Sequence, residues 1–338
     1  MRIRHLRGPT IVLVGTLLLC LHAPGVSALI LDSRDGAGNA TRPDDDPGWD
    51  YVGKRLGGPS VVYLGHGWVL TARHVGAGTV LFDEKSYEPV RDSITQMKNA
   101  DGSFSDLIAF QLIESPDLPV LPIAKTTPKM GEEVIMIGTG KSRGKNLTVD
   151  VEGRGRVDGW EWADYERKQW GTNLIANESS YIEHAGTRTL SGATLFDRID
   201  DPNGTRQEAQ AAVGDSGGAL FARADRDDKA KGWVLAGIMF SVSPFPQQPI
   251  QSTLYGNPTF FVDLSSYRSQ IIPLVRPECS NERDDDGDGQ TDYPADRSCN
   301  SPSADDESLE SHLAVLWMGA GLFSALAFSG LMLWRRFR

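Results

Sequence analysis

Residues 207–221 read QEAQAAVGDSGGALF, and the centre of that stretch, Gly214–Gly218, sets a serine between a carboxylate and glycines. A run of this kind is either a tight polar turn or a backbone shaped around a nucleophile. A serine hydroxyl is a poor nucleophile until a base removes its proton as it attacks. The choice between the two readings therefore depends on whether the rest of the chain supplies a base and an acid to orient it.

Two upstream stretches carry candidates. Residues 60–76 read SVVYLGHGWVLTARHVG, in which Val61–Tyr63 and Val69–Leu70 read as strands around a glycine-rich turn, with His74 at the end of the β-run. Residues 105–112 read SDLIAFQL, where Asp106 opens an apolar run 32 residues after His74. An aspartate at the head of a buried strand is costly unless something accepts its charge. Each residue alone is ordinary. Together His74, Asp106 and Ser216 stand in the order His, Asp, Ser, one of the known orders of a hydrolytic triad.

WVLTARHV, DLIAF and GDSGGAL, in that order, resemble the trypsin-like serine proteases. The resemblance covers roughly Tyr51–Val275, including GWVLAGIMF after the serine and PTFFVDLSSYRSQI, which is similar to the family's last strand and C-terminal helix. It implies an all-β fold, a double six-stranded β-barrel with a C-terminal helix, and a triad across the cleft between barrels. It also implies hydrolysis of protein or peptide substrates through an acyl-enzyme, with no cofactor for the chemistry. His74 would act as base and then acid, Asp106 would hold the imidazole tautomer, and the N–H groups of Gly214 and Ser216 would form the oxyanion hole. The base of the specificity pocket falls on Gln210, six residues before the nucleophile, with its wall near Phe240–Ser243 and a further position at Thr259. A neutral glutamine offers no carboxylate to an arginine or lysine side chain.

The chain departs from the family pattern at Arg73, where alanine is usual, and at Val75, where a cysteine is common. No IVGG occurs, so no familiar activation cut supplies a partner for Asp215. The expectation is an enzyme that needs no zymogen cleavage. Residues 157–205 read as second-barrel strands with an enlarged surface loop, and Trp160, Trp162 and Trp170 there suit substrate binding and core packing equally. A GDS-type esterase requires the serine early and the histidine late, the reverse of the order here. A catalytically idle, protease-like surface binding module with calcium-dependent adhesion through the tail is the non-enzymatic alternative, and an intact triad argues against it.

The ends of the chain define its setting. Arg2, Arg4 and Arg7, an apolar run Ile11–Leu21 and APGVSA ending at Ala28 read as a secretory signal peptide. The 22 uncharged residues Leu313–Trp334 precede RRFR. As a helix they span about 33 Å, the thickness of a bilayer core, with the arginines on the cytoplasmic side. The expected organisation is signal peptide 1–28, linker or propeptide 29–50, protease 51–275, acidic linker 276–310 and transmembrane anchor 311–338. An exported, membrane-anchored protein follows.

The net charge of −11 is concentrated in residues 278–310, where twelve acidic residues face Arg283 and Arg297, a local net of −10. With no basic stripe, a nucleic-acid partner is excluded. Once Cys20 leaves with the signal peptide, Cys279 and Cys299 remain to form one disulfide. Between them Asp284, Asp286 and Asp288 with Gly289 spell D-x-D-x-D-G, the opening of a calcium loop. Gln290, Asp292 and Asp296 complete the candidate ligand set, since Ala295 stands where the loop's glutamate belongs. The segment resembles thrombospondin type 3 and other cysteine-bounded, aspartate-rich segments. A solvated acidic spacer remains the alternative.

Overall fold

A computed structural model describes residues 29–305, except 34, 35 and 37, together with residue 307. The expected signal peptide and the apolar segment 313–334 lie outside the described residues. Among the described residues no helix is long and apolar enough to cross a membrane.

After a short strand β1 (Ile30–Leu31) come β2 (Val52–Arg55), β3 (Ser60–Gly65), β4 (Trp68–Thr71), β5 (Val80–Phe82), β6 (Lys85–Tyr87), β7 (Thr95–Lys98) and β8 (Phe104–Gln111). The second half holds β9 (Glu133–Gly138), β10 (Lys141–Val151), β11 (Gly155–Glu166), β12 (Gln169–His184), β13 (Thr187–Leu195) and β14 (Ala209–Gln210). It ends with β15 (Ala219–Arg223), β16 (Trp233–Val242), β17 (Ser252–Leu254), β18 (Pro258–Asp263) and the helix α1 (Arg268–Val275).

The two halves close differently. Strands β12-β13-β18-β16-β15-β9 form a closed six-stranded barrel, whereas β6-β5-β2-β3-β4-β8-β7 form a seven-stranded sheet whose ladder does not return on itself. The expected pair of six-stranded barrels is therefore met in the second half only. The surface loop expected within 157–205 is mostly strand: β10 and β11 form a long hairpin, extended by β17 into a three-stranded sheet, and β12 and β13 form another.

The period of two along β3 distributes its side chains to both faces. Val62 and Leu64 join a cluster that also holds Ile137, Phe221, Leu235 and Val262 of the barrel, while Val61 and Tyr63 pack with Phe110 on the other face. One apolar cluster thus spans both halves and draws them together by burial. Ile271, Ile272 and Val275 seal α1 onto the same cluster.

Tyr267, just before α1, is the polar counterpart of that seam. It is 1% exposed; its hydroxyl donates to Asn99 Oδ1 at 2.6 Å and accepts from the Leu190 N–H at 2.9 Å. Burial pushes its pKa up to about 12, so the phenol stays protonated. Tyr267→Phe would leave a buried donor and acceptor without a partner, and a loss of about 1–3 kcal/mol is expected. Urea unfolding of the two proteins measures it; equal midpoints would show that the hydroxyl does not join the halves.

Candidate active site

The hairpin β3–β4 leads the chain out of the first sheet at Thr71, and a turn closed by Val75 N–H to Ala72 O (3.0 Å) presents His74. Asp106 is the third residue of β8, the strand paired with β4. That pairing sets aspartate beside histidine despite their separation in sequence. His74 Nδ1 donates to Asp106 Oδ2 at 2.7 Å, and the His74 backbone N–H donates to Asp106 Oδ1 at 2.9 Å. Both carboxylate oxygens of a fully buried aspartate are thereby used, and the imidazole tautomer is fixed with Nε2 available as base. The Asp106 N–H donates to Thr189 Oγ1 at 2.8 Å, which ties this strand to β13 of the barrel.

Ser216 lines the same cleft as His74, a cavity of about 330 Å³ that also includes Gly214, Val213, Met239, Phe240 and His184. The turn that carries Ser216 is held from within. The N–H groups of Asp215, Gly217 and Gly218 donate to Ala212 O, Met239 O and Asp215 O at 3.0, 2.7 and 2.8 Å. Among the described residues, the N–H groups of Gly214 and Ser216 have no internal acceptor. These two donors are the pair an oxyanion needs. Gly217 has φ +84°, and a Cβ there would run into Ser60 O and the Thr71 hydroxyl.

Ser60, which the motifs did not single out, clamps this turn to the first sheet. Its N–H and hydroxyl both donate to Gly214 O, at 3.1 and 3.0 Å, and its Oγ accepts from the Thr139 N–H at 3.0 Å. Asp215 is fully buried, and its oxygens accept from the N–H groups of Gly140 and Ala212, each at 2.8 Å. Leu29, Ile30 and Leu31 are buried, and β1 pairs with Ala209–Gln210 on the approach to the nucleophile.

His184 is a second residue the sequence reading missed. It ends β12, and its ring stands edge-to-face on His74 with centroids 5.1 Å apart, its Nδ1 3.2 Å from Ser241 Oγ. Burial holds its pKa below the ordinary histidine value, with the His74 charge adding to the effect and Asp106 opposing it. The only sequence signal was the dipeptide Ala185-Gly186, a turn between two alternating runs.

Gln210 and Thr259 have different placements. Gln210 is 1% exposed and borders a cavity beside the cleft, with Trp162, Val213, Val242 and Ile250. Its Nε2 donates to Pro258 O at 3.1 Å, and its Oε1 is buried with no hydrogen-bond partner among the described residues. Thr259 is fully buried and supports the edge from behind, accepting from the Ala211 N–H at 3.1 Å. Of the three tryptophans, Trp160 is packed among Phe196, Tyr255 and the Arg143 guanidinium. Trp170 donates to Thr41 O, and Trp162, which donates to Thr253 Oγ1, borders the cavity.

In the tail, Cys279 and Cys299 form a disulfide with Cα atoms 5.6 Å apart. Arg268 donates to both oxygens of Glu282 at 2.9 and 2.6 Å, which draws that carboxyl down to about 2 and fastens the tail to α1. The candidate calcium ligands divide. Asp284, Asp286 and Asp288 bring carboxylate oxygens within 4.8 Å of one another on the exposed loop, and Gln290 turns its amide onto Asp288. Asp296 is grouped elsewhere, with Glu307, a residue outside the expected set.

No protein-family model and no curated protein matches the chain. Solved structures do. Neuropsin, a serine protease expressed in the limbic system of mouse brain, is 17% identical and overlaps 69% of this chain and 96% of its own, with a TM-score of 0.43. The Rv3671c protease of M. tuberculosis is 15% identical over 65% of this chain and 87% of its own, with a TM-score of 0.38. A mutant of human heparin binding protein (CAP37) is 17% identical over 69% and 93%, with a TM-score of 0.41. These are likenesses of fold, and the chemistry of this chain rests on its own side chains.

Gly217→Ala should displace the nucleophile turn from Ser60 and Thr71 without touching His74 or Asp106. Labelling of Ser216 by a fluorophosphonate is expected to slow by about 10²-fold or more, the cost of one misplaced oxyanion donor. An unchanged labelling rate would show that the turn does not depend on that close approach.

Proposed function

We propose that the protein is a serine endopeptidase that cleaves peptide bonds through an acyl-enzyme. The observation that carries this reading is the assembly around one cleft. A buried aspartate holds His74 by two hydrogen bonds, and Ser216 sits on a turn that leaves two backbone N–H groups free for an oxyanion. His74 takes the Ser216 proton as Oγ attacks the carbonyl carbon and returns it to the leaving amine; a water activated by the same histidine then releases the acid. The Gly214 and Ser216 N–H groups stabilise the oxyanion in both steps. The hydrogen bond between base and nucleophile often tightens only once substrate is bound.

The substrate side chain enters an apolar site. Val213, Met239, Phe240 and Val242 dominate the cleft lining, and the neighbouring cavity ends on the amide of Gln210. A cationic side chain would be buried there without a carboxylate, which is unfavourable.

Ser216→Ala and His74→Ala should each lower turnover of an unfolded protein substrate by about 10⁴-fold or more while leaving the fold intact. A peptide-library profile of the parent in the same assay should show no preference for arginine or lysine before the scissile bond. Substantial cleavage by purified Ser216→Ala protein would sink the assignment. A profile dominated by basic residues would instead show the pocket to be elsewhere.

The setting we propose is outside the cytoplasmic membrane, with the protease exported by residues 1–28 and tethered by residues 313–334. The apolar length of that segment and the arginines after it support this. Deleting residues 311–338 should release soluble, active protease from the membrane fraction. A truncated protein that still sediments with membranes would place the anchor elsewhere.

A further inference from the structure

Beyond the cleft, the strongest concentration of chemistry that catalysis does not use lies in the tail. Its loop carboxylates, half-buried Asp284 and exposed Asp286 and Asp288, accept from neighbouring N–H groups. Asp296 and Glu307 are different. They are 1% and 0% exposed, and their carboxylate oxygens lie within 4.8 Å of each other.

The donors around this pair favour anions. Asp296 Oδ1 accepts from both the N–H and the hydroxyl of Ser298. Glu307 Oε2 accepts from the Asp285 N–H at 2.6 Å, and its Oε1 accepts from the Asp292 N–H at 2.8 Å. Asp296 Oδ2, in contrast, receives no N–H or hydroxyl donor among the described residues and has the Glu307 carboxyl beside it, and Asp292 Oδ1, on the residue whose N–H holds Glu307, likewise receives none. Two adjacent buried carboxylates with acceptor capacity to spare are costly, because a like charge and lost hydration both oppose ionisation.

We propose that one divalent cation of the calcium class bridges Asp296 and Glu307. An ion with oxygen ligands at about 2.3–2.6 Å spans a gap of this size, and its charge balances the pair while it takes the spare lone pair of Asp296. The neighbouring Cys299 sulfur is bonded to Cys279 and is no thiolate, so the donor set is oxygen only, which selects a hard cation over zinc. The site has a mechanical consequence. Glu307 is the last described residue before the apolar segment, and the bridge would fasten it to the disulfide-closed loop that Arg268 and Glu282 hold on the protease. The cation would make the connection between protease and anchor a fixed stalk instead of a loose acidic spacer.

The test uses the full chain carrying Ser216→Ala, so that self-cleavage does not intrude. Calorimetric titration with calcium chloride should reveal binding that weakens at least tenfold in Asp296→Asn and in Glu307→Gln but persists in Asp286→Asn. A readout that needs no further substitution accompanies it: calcium should slow cleavage of the tail between residues 282 and 307 by an added protease at least tenfold. A parent protein that takes up no calcium, or is cut at the same rate with and without it, overturns the proposal. So does a Glu307→Gln protein that binds as the parent does, which would assign the ion to the exposed aspartates.

Discussion

The geometry of the cleft depends on a backbone contact between two halves that fold by different rules. Gly214 O accepts from the N–H and the hydroxyl of Ser60, and Gly217 lies against Ser60 O and Thr71 with no room for a side chain. Ser60 opens β3 and Thr71 closes β4, after which the chain turns to present His74. One hairpin of the first sheet therefore touches the Ser216 turn at one end and leads to His74, the proposed base, at the other. Hydrogen bonds have narrow distance ranges, so this contact fixes the Ser216 turn against the first sheet more tightly than apolar packing could. Burial draws the halves together, and the Ser60 contact selects their register.

How much of this was legible in the sequence follows from how local each signal is. His74, Asp106 and Ser216, which the fold brings to one cleft, stood out because each lies in a short motif. Ser60, Thr189 and His184 were not, because each acts on a partner in the other half and is surrounded by ordinary strand residues. The same reason accounts for the architecture. Alternation along 141–195 is compatible with strand, but only the pairing of β11 with β17 and the return of β12 to β9 distinguish a side sheet from barrel wall. In the tail, the aspartates of the D-x-D-x-D-G run announced themselves, while Glu307 lies just outside the cysteine pair, in no motif, and meets the loop only in the fold.

Three buried carboxylates near the barrel show how one chemistry is put to different uses. Asp106 receives two donors from His74 and passes that order to the imidazole. Asp215 receives the amides of Gly140 and Ala212, which bind the strand after β9 and the approach from β14 to the nucleophile turn. Glu208 accepts from the Thr205 N–H and hydroxyl and from the Asp197 N–H, yet burial still pushes it up to about 8. Donor number alone does not decide the outcome; the depth of desolvation opposes it.

The position of Asp215 also bears on how the cleft is kept in order. In a design that waits for a new chain end, the nucleophile turn gains a partner only after a cut. Here backbone amides already hold both Asp215 oxygens, and the N-terminal strand β1 is already paired with β14, four residues ahead of Gly214. Leu29 and Leu31 belong to the same apolar cluster as Leu220 and Met239, both close to that turn. Withdrawing the N-terminal segment would therefore open the core behind the nucleophile turn, so the segment acts as structural support for that turn. The order of the Ser216 turn is thus tied to burial of the N-terminal segment.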